Sequence, residues 1–333
     1  MRNYGLPYLG SKSRIIPWLM ENLPVRDGRV FVDMFAGGCA VTHAVLLEGK
    51  ASKILVNDVL RTPGVFKKAI AGGFRDYKTW ISHDEFFEAR VNHDIETCIL
   101  WSFGNGLCSY MYSREVEPYK RACHYAVVFN KWDAFKKLCP EVYKDAFEAL
   151  KGVSDIKQRR MKLGHAIVGR IKDLTGNDYR NVKNLNNPLY NQITHTKDNK
   201  RLERLKRLKS LQSLESLERL QSLQSLQSLQ SVEDYVMDYR EFMNKIPDGA
   251  LVYCDPPYTS KQSYHGKDKQ YGAKFDGVEF INHMHELARR CDVYVSEYEI
   301  LSPYAIEVAS KEKMVTSNAK SVIKKVERLY KII

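Results

Sequence analysis

The residues best suited to chemistry in this sequence lie at the ends of three apolar segments. These segments end in Asp33-Met34-Phe35-Ala36-Gly37-Gly38, in Asn57-Asp58 and in Asp255-Pro256-Pro257-Tyr258. In open α/β sheets, ligands bind at the carboxyl ends of the parallel strands. We therefore interpret the three motifs as parts of one ligand-binding edge.

The motif at 255–258 is the most specific of the three. Proline lacks a backbone N–H and fixes φ, so two consecutive prolines hold the Asp255 carboxylate and the Pro256 carbonyl as rigid acceptors. Tyr258 adds a flat aromatic face beside them. This combination suits a planar amine, such as the exocyclic amine of a nucleobase, whose nitrogen becomes nucleophilic when both of its N–H groups donate hydrogen bonds to these acceptors. The alternative is a Pro-Pro turn that only ends a strand.

The glycine turn and Asp58 are weaker signals. Gly37 and Gly38 let a ligand approach the backbone closely, but the phosphate-binding pattern G-x-G-x-x-G is absent, which argues against an ordinary dinucleotide site. Asp58 ends the second apolar segment, where an acid can accept both hydroxyls of a ribose. Alternatively, Asp58 caps a helix or lies on the surface.

The elements around these motifs predict an α/β sheet that is interrupted by a long insertion. A strand, a glycine turn, a helix and a second strand are expected within 29–59, as in a doubly wound sheet. The pattern resumes with a strand entering a helix at 231–246, a strand at 250–258, a helix at 277–291, a strand at 292–300 and a closing hairpin formed by 307–317 and 321–333.

The insertion, residues 61–200, is predicted to be a mostly helical domain with loops. We expect helices at 82–92, 132–139 and 141–152. The Tyr- and Gly-rich stretch 102–132 is expected to be mostly loop. Basic residues that are candidates for contacts with DNA phosphates, or are otherwise plain surface, are Arg114, Lys120, Arg121, Arg159 and Arg160.

Charge and composition favour a polyanionic partner. The 333-residue chain has a net charge of +12, and residues 151–231 alone contain 17 Lys and Arg against 7 Asp and Glu. Such a local basic field is typical of nucleic-acid binding, although a solvated charged surface is the alternative. We found no apolar run near the roughly 18 residues of a membrane helix. The N-terminus lacks the apolar region of a signal peptide.

The seven cysteines are scattered and form no C-x-x-C pair. Their odd number favours reduced structural thiols over a zinc site or a disulfide framework. We therefore expect a cytoplasmic protein. His283 and His285, at i and i+2 of a predicted helix, should point apart, so no metal site is predicted.

Residues 202–229 form a low-complexity repeat with leucine at every third position and Leu-Gln-Ser as its unit. Three residues of an α-helix turn through about 300°, so these leucines should drift around a helix without making a fixed stripe. We expect residues 201–232 to be a helical spacer. A partner-binding surface is the alternative.

Taken in order, these motifs resemble the D12 class, or alpha group, of DNA adenine-N6 methyltransferases. The resemblance rests on Tyr8-Leu9-Gly10-Ser11-Lys12, the motif at 33–38, Asn57-Asp58, residues 238–242 and the motif at 255–258. It implies a Rossmann-like fold, with residues 1–60 and 233–333 forming the cofactor-binding catalytic domain. Residues 61–200 would then be the target-recognition insert of a monomeric, bacterial or phage-encoded enzyme, with a restriction-modification role.

The resemblance also implies S-adenosylmethionine as the methyl donor and double-stranded DNA as the substrate. Asp58 matches the ribose-binding acid, Asp238 an acid near the cofactor adenine, and Phe35 with Gly37 the turn around the methionine part. The residues that would bind the cofactor are Tyr8, Lys12, Asp33, Phe35, Gly37, Asp58, Asp238 and Asp255.

The same resemblance implies the catalytic residues. Asp255 and Pro256 would bind the target amine, and Tyr258 would stack on an adenine flipped out of the duplex. Aspartate at position 255 favours adenine N6, whereas serine would favour cytosine N4. Methylation of cytosine N4 or of RNA adenine, and a catalytically idle DNA-binding protein, remain the alternatives.

Overall fold

The computed structural model describes residues 4–48, 51–175, 213–226, 232–257, 275–300, 302–317 and 321–333. These residues form a seven-stranded sheet. Its strands are β1 Val30–Asp33, β2 Lys53–Asn57, β3 Val232–Tyr235, β4 Leu251–Cys254, β5 Asp292–Glu297, β6 Ala305–Ser317 and β7 Ser321–Ile332.

The sheet has a parallel centre and an antiparallel edge, in the order β3-β2-β1-β4-β5-β7-β6. Strands β1 to β5 pair in parallel, while β7 runs antiparallel between β5 and β6. The carboxyl ends of β1, β2 and β4 therefore meet at one edge, as expected for a doubly wound sheet. The predicted Rossmann-like α/β sheet and its closing hairpin are confirmed.

None of the helices in the described part of the chain combines the length and the hydropathy that crossing a lipid bilayer requires.

Helices cover the sheet and build most of the insertion. The helices are α1 Ile16–Asn22, α2 Ala40–Glu48, α3 Thr62–Ile70, α4 His83–Val91, α5 Ile95–Trp101, α6 Glu117–Phe129, α7 Asp133–Leu138, α8 Pro140–Leu150, α9 Ile156–Thr175, α10 Ser213–Ser222, α11 Tyr239–Phe242 and α12 Gly277–Ala288.

Helix α6 corrects the prediction that residues 102–132 are mostly loop. Its proline, Pro118, lies in the first turn, where a missing N–H costs nothing and the fixed φ suits a helix. Ala122, Cys123, Ala126 and Val127 are buried along one side. Their spacing of three and four residues is a helical stripe within an aromatic-rich segment.

Two apolar cores cover the two faces of the sheet, and a third lies within the insertion. Neighbouring residues of a strand point to opposite faces of the sheet. Phe31 therefore packs in the first core with residues of α1 to α5, whereas Val32 packs in the second core with residues of α11 and α12. Helices α6 to α9 pack around a core of their own. The segment between β2 and β3 therefore contributes to the first core and contains the whole of the third. The role of residues 61–200 in target recognition stays a prediction.

Part of the leucine repeat is folded against the sheet domain. Leu217, Leu220 and Leu223 are buried in the first core, so the expectation of no fixed stripe is wrong for this part. Three such leucines spread over about 120° of an α-helix, which one apolar face accommodates. The helix then continues as a 3₁₀ segment, Leu223–Leu226, whose period of about three residues matches the repeat.

Candidate active site

An open cleft of about 290 Å³ lies at the carboxyl ends of β1, β2 and β4. The structure brings together every predicted site residue that it describes, whereas Tyr258 lies outside the described residues. The predicted residues that line the cleft are Tyr8, Lys12, Asp33, Phe35, Gly37, Asp58, Asp238, Asp255 and Pro256.

The glycine turn is held by the N-terminal segment of the chain. The Leu6 N–H donates to the Gly38 carbonyl at 2.7 Å, and the Tyr8 side chain packs on the turn. A Cβ on Gly38 would lie 2.6 Å from the Tyr8 Cβ, and Gly37 has a φ of +48°. Glycine is therefore needed here for the close approach of Tyr8 as well as for the backbone conformation.

Asp58 ties the end of β2 to the glycine turn. Its Oδ2 accepts a hydrogen bond from the Gly37 N–H at 2.7 Å, and its Oδ1 accepts one from the Leu60 N–H at 2.8 Å. Burial raises the pKa of Asp58 to about 6, against the effect of these two bonds. A carboxylate oxygen has two lone pairs, so the acid retains acceptor capacity on the cleft side.

Asp33 is a buried acid at the end of β1. Its Oδ2 accepts hydrogen bonds from the Thr42 hydroxyl at 2.6 Å and from the Thr42 N–H at 3.2 Å. Burial raises the pKa of Asp33 to about 7, although both bonds from Thr42 favour its charged form. The acid therefore connects the end of β1 to α2 beneath the glycine turn.

Asp255 belongs to a chain of three buried or half-buried charges. The Lys12 ammonium contacts Asp255 Oδ1 at 2.6 Å and Glu327 Oε1 at 3.0 Å. Lys12 is 5% exposed and Glu327 fully buried. Burial lowers the pKa of Lys12, but the two carboxylates outweigh burial and raise it above its ordinary value. Lys12 is thus a permanent cation that fixes the position of Asp255.

Sequence reasoning missed Glu327. It lies in β7, one residue before Arg328, which pairs with Glu297 at the carboxyl end of β5. The antiparallel pairing of β7 therefore brings Glu327 to the level of the cleft. Its local sequence, Lys-Lys-Val-Glu-Arg, is typical of an exposed edge, so no local pattern marked Glu327 as a partner of Lys12.

A second wall of the cleft combines aromatic rings with charged groups. The Phe35 ring lies 5.5 Å from both Tyr239 and Phe280, measured between centroids. Asp238 caps α11 and accepts from the Arg240 guanidinium at 2.8 Å, which lowers the pKa of Asp238. Phe35 and Asp238 therefore form part of one packed wall, and their assignment to cofactor binding stays a prediction.

The insertion also reaches the cleft, which sequence reasoning missed. Asn105, Gly106 and Leu107 line it, and the Leu9 N–H donates to the Asn105 carbonyl at 3.0 Å. Asn105 and Leu107 both have positive φ values, 57° and 59°. Such left-handed conformations in non-glycine residues cluster at functional sites. The residue types gave no sign of this, because none is acidic, basic or nucleophilic.

Acidic side chains dominate the lining of the cleft. Among the described lining residues, the cations are Lys12 and Arg240, while the carboxylates are Asp33, Asp58, Asp238, Asp255, Asp276 and Glu279. Since Lys12 and Arg240 are themselves held by carboxylates, the cleft favours a ligand that carries positive charge or presents hydrogen-bond donors.

Two of the predicted phosphate-contacting residues are instead buried in the helical insertion. Arg159 is 8% exposed and Lys120 is 2% exposed. The Arg159 guanidinium donates to the carbonyls of Ala126 and Val127 at 2.8 and 2.6 Å. It therefore closes the C-terminal end of α6, and the prediction for both side chains is wrong. The positions of Arg114, Arg121 and Arg160 leave their DNA contacts as predictions.

The two histidines of α12 point apart, as their spacing predicted. His283 Nδ1 lies 3.2 Å from the Tyr239 hydroxyl, whereas His285 stacks on Tyr304 at 3.9 Å. Within the described residues, no group of three or more His, Cys, Asp or Glu side chains is arranged to hold a metal ion.

Comparison with known proteins supplies a family for this arrangement. The family model described as D12 class N6 adenine-specific DNA methyltransferase matches residues 8–101 and 178–332, which together are most of the chain. No individual curated protein matches the chain. The two matched segments contain Tyr8, Lys12, Asp58 and Asp255, and thus both sides of the cleft.

Proposed function

Because the chain belongs to the D12 class of N6 adenine-specific DNA methyltransferases, we propose that its cleft binds S-adenosylmethionine beside an adenine extruded from double-stranded DNA. Membership of the family implies DNA adenine methylation. The observation that carries the more detailed proposal is the meeting of Asp58, the Gly37 turn and Asp255 at one sheet edge.

The residues of the cleft fit the proposed cofactor. S-Adenosylmethionine carries a sulfonium and an ammonium group, and carboxylates outnumber cations in the lining. Asp58 would hold the ribose hydroxyls and Phe35 would contact an apolar part of the cofactor, while Asp238 would lie near its adenine. When bound, the cofactor supplies a methyl group that the sulfonium has already activated, so the residues need only position the nucleophile.

The target amine would be held by Asp255 and the Pro256 carbonyl. Both are acceptors on a backbone that two prolines constrain. They would accept hydrogen bonds from the two amine N–H groups, so that the nitrogen lone pair is directed away from the ring. Tyr258 would supply the stacking face for the extruded base. The rate should come from positioning and from hydrogen bonds that strengthen as charge develops on nitrogen.

Lys12 and Glu327 would set the position and acceptor strength of Asp255. Lys12 fixes one oxygen of that carboxylate at 2.6 Å, while Glu327 shares the positive charge of Lys12. Without Glu327, the full charge of the ammonium would act on Asp255 and weaken it as an acceptor. We therefore assign Lys12 and Glu327 as positioning residues for the catalytic carboxylate.

The experiment that tests this function is expression in a host without DNA methylation, followed by sequencing that detects modified bases. We expect N6-methyladenine at a defined sequence. No methyl-adenine should appear with Asp255→Ala, while the control Asp248→Ala, an acid with an 81% exposed side chain, should match the wild type. Methylation of cytosine N4, or unmodified DNA from a folded protein, would contradict the proposal.

A further inference from the structure

The leucine repeat does not by itself define its register on the fold. Between residues 211 and 230 every third residue is leucine, and the unit is Leu-Gln-Ser. If the chain slid by three residues, leucines would again occupy the buried positions of Leu217, Leu220 and Leu223. Hydrophobic burial therefore gives equal support to several registers, a known weakness of repetitive patterns.

Arg219 breaks this degeneracy. Each Leu-initiated unit between 211 and 228 has serine in its third position, except that Leu217-Glu218 is followed by Arg219. The Arg219 Nε donates to the Gly5 carbonyl at 2.9 Å, and its Nη2 donates to the Tyr4 carbonyl. Serine at this position has one short hydroxyl and cannot replace a guanidinium that reaches two carbonyls.

The carbonyls that Arg219 binds belong to the segment that supports the cleft. The Gly5 N–H donates to His43 Nδ1 at 2.9 Å, and the next N–H, that of Leu6, donates to the Gly38 carbonyl. Tyr8 follows on the glycine turn. The N-terminal segment is thus held on one side by α2 and the turn, and on the other by Arg219.

A second contact depends on the register as well. The Gln221 amide donates to the carbonyls of Phe74 and Arg75 at 2.9 and 3.2 Å. If the repeat slid so that Ser216 reached the present place of Arg219, Glu218 would reach the place of Gln221. A carboxylate has no proton to donate to those carbonyls. The irregular residues of the repeat therefore fix the register that its regular residues leave open.

The geometry points to Arg219 as a positioning residue that locks the register of the repeat and holds the N-terminal wall of the cofactor cleft. This inference rests on the proposed function in so far as the cleft binds S-adenosylmethionine. It replaces the interpretation of the repeat as a spacer for the part that the structure describes.

The first test compares two substitutions that each bring one position of the unit 217–219 to the residue of the Leu-Gln-Ser repeat. Arg219→Ser should weaken binding of S-adenosylmethionine about tenfold in titration calorimetry, because two charge-assisted hydrogen bonds are lost. Without cofactor, it should also speed hydrogen exchange of the Gly5 and Leu6 amides. Glu218→Gln, at an exposed position, is the matched control and should change neither. Unchanged exchange and affinity in Arg219→Ser would overturn the inference.

The second test uses the degeneracy of the repeat. The triple variant Ser216→Arg, Glu218→Gln, Arg219→Ser has its arginine one unit earlier and a glutamine ready for the place of Gln221. Sliding by three residues would restore every contact described above, so exchange of the Gly5 and Leu6 amides should return to within about twofold of the wild type. If Arg219→Ser only destabilised the helix, the triple variant would not regain slow exchange of these amides. Exchange in the triple variant that stays as fast as in Arg219→Ser would overturn the inference that Arg219 fixes the register.

The two readouts separate this inference from the proposed function. If the wild type does not bind S-adenosylmethionine, the proposed function fails, while the exchange of the Gly5 and Leu6 amides still tests Arg219. If the wild type binds the cofactor and Arg219→Ser changes neither the affinity nor the amide exchange, the proposed function stands and the role of Arg219 is refuted.

Discussion

Lys12 and Arg159 are both buried cations, but they serve the molecule differently. Lys12 contacts the carboxylates of Asp255 and Glu327 at the edge of the sheet. Arg159 donates to backbone carbonyls that include those of Val127 and Val153, at 2.6 and 2.9 Å. One cation contacts a carboxylate that lines the cleft and a second carboxylate that is fully buried, and the other completes the hydrogen bonding of helix ends.

The difference shows how a buried charge can be assigned a role. Carbonyl groups at a helix C-terminus need donors, so an arginine that satisfies them stabilises the fold without requiring a ligand. Carboxylates held around a lysine at an open cleft retain acceptor capacity for a substrate. We therefore expect substitutions of Arg159 to act on stability and those around Lys12 to act on methyl transfer.

The largest expected effect on stability is that of Arg159→Met. It would leave several carbonyls of the insertion without donors, at a cost of about 4 kcal/mol in the free energy of unfolding. Denaturant titration measures this loss. Lys162→Met, at an exposed position of the same helix, should cost less than about 0.5 kcal/mol. An equal loss in both variants would remove the distinction between Arg159 and a surface cation.

Lys12→Met should reduce kcat for DNA methylation about 100-fold, because Asp255 loses the cation that fixes it. Steady-state kinetics of the purified protein measures this effect. Lys53→Met removes a half-exposed lysine at the start of β2 that pairs with Glu233 of β3. It should leave kcat within about twofold. A kcat near the wild-type value for Lys12→Met would refute the positioning role.

Asp33→Asn should stabilise the protein at high pH. The pKa of Asp33 is raised to about 7 in the folded state, so the folded protein binds this proton more tightly than the unfolded chain does. The contribution of Asp33 to the free energy of unfolding therefore falls as pH rises from about 4 to about 7. Asparagine keeps the acceptor for Thr42 without the charge. Its advantage over aspartate in the free energy of unfolding should grow over this interval and reach at least about 2 kcal/mol at pH 8. Chemical unfolding of both proteins between pH 4 and pH 8 measures this difference. A difference in the free energy of unfolding that stays constant over this pH range would contradict the prediction.

Glu327→Gln should have the smallest effect, a fall of about tenfold in kcat with the KM for S-adenosylmethionine within about twofold. The loss of one carboxylate directs the charge of Lys12 onto Asp255. Glu312→Gln, an exposed acid of β6, is the control. A change confined to KM would show that Glu327 supports the cofactor and not the catalytic carboxylate.

The sequence revealed most of the cleft, since its key residues follow strands in motifs of unusual composition. Asp255 stands before two prolines and Asp58 ends an apolar segment, so both could be placed at the sheet edge from local pattern alone. Glu327 could not be found in this way, because its importance depends on the antiparallel register of β7 and on a lysine 315 positions earlier in the chain.

The wrong predictions for Arg159, for helix α6 and for the leucine repeat also arose because local sequence does not show which side of a helix is buried. Arg159 and Arg160 are adjacent and chemically identical in the sequence, yet the rotation of about 100° per helical residue buries the first and leaves the second half-buried. Helix α6 was obscured by its tyrosines and by Pro118, although a proline fits the first turn. The whole leucine repeat has one pattern, and in the part that the structure describes Leu217, Leu220 and Leu223 contact the core.

The most direct test of the central claim is methyl transfer by Asp255→Asn, measured with labelled S-adenosylmethionine and duplex DNA alongside Asp248→Asn. We predict that Asp255→Asn loses at least about 1,000-fold in transfer rate while binding DNA with wild-type affinity, because amide substitution removes the charged acceptor. Normal turnover by a folded Asp255→Asn protein would contradict the assignment of the cleft as the site of adenine methylation.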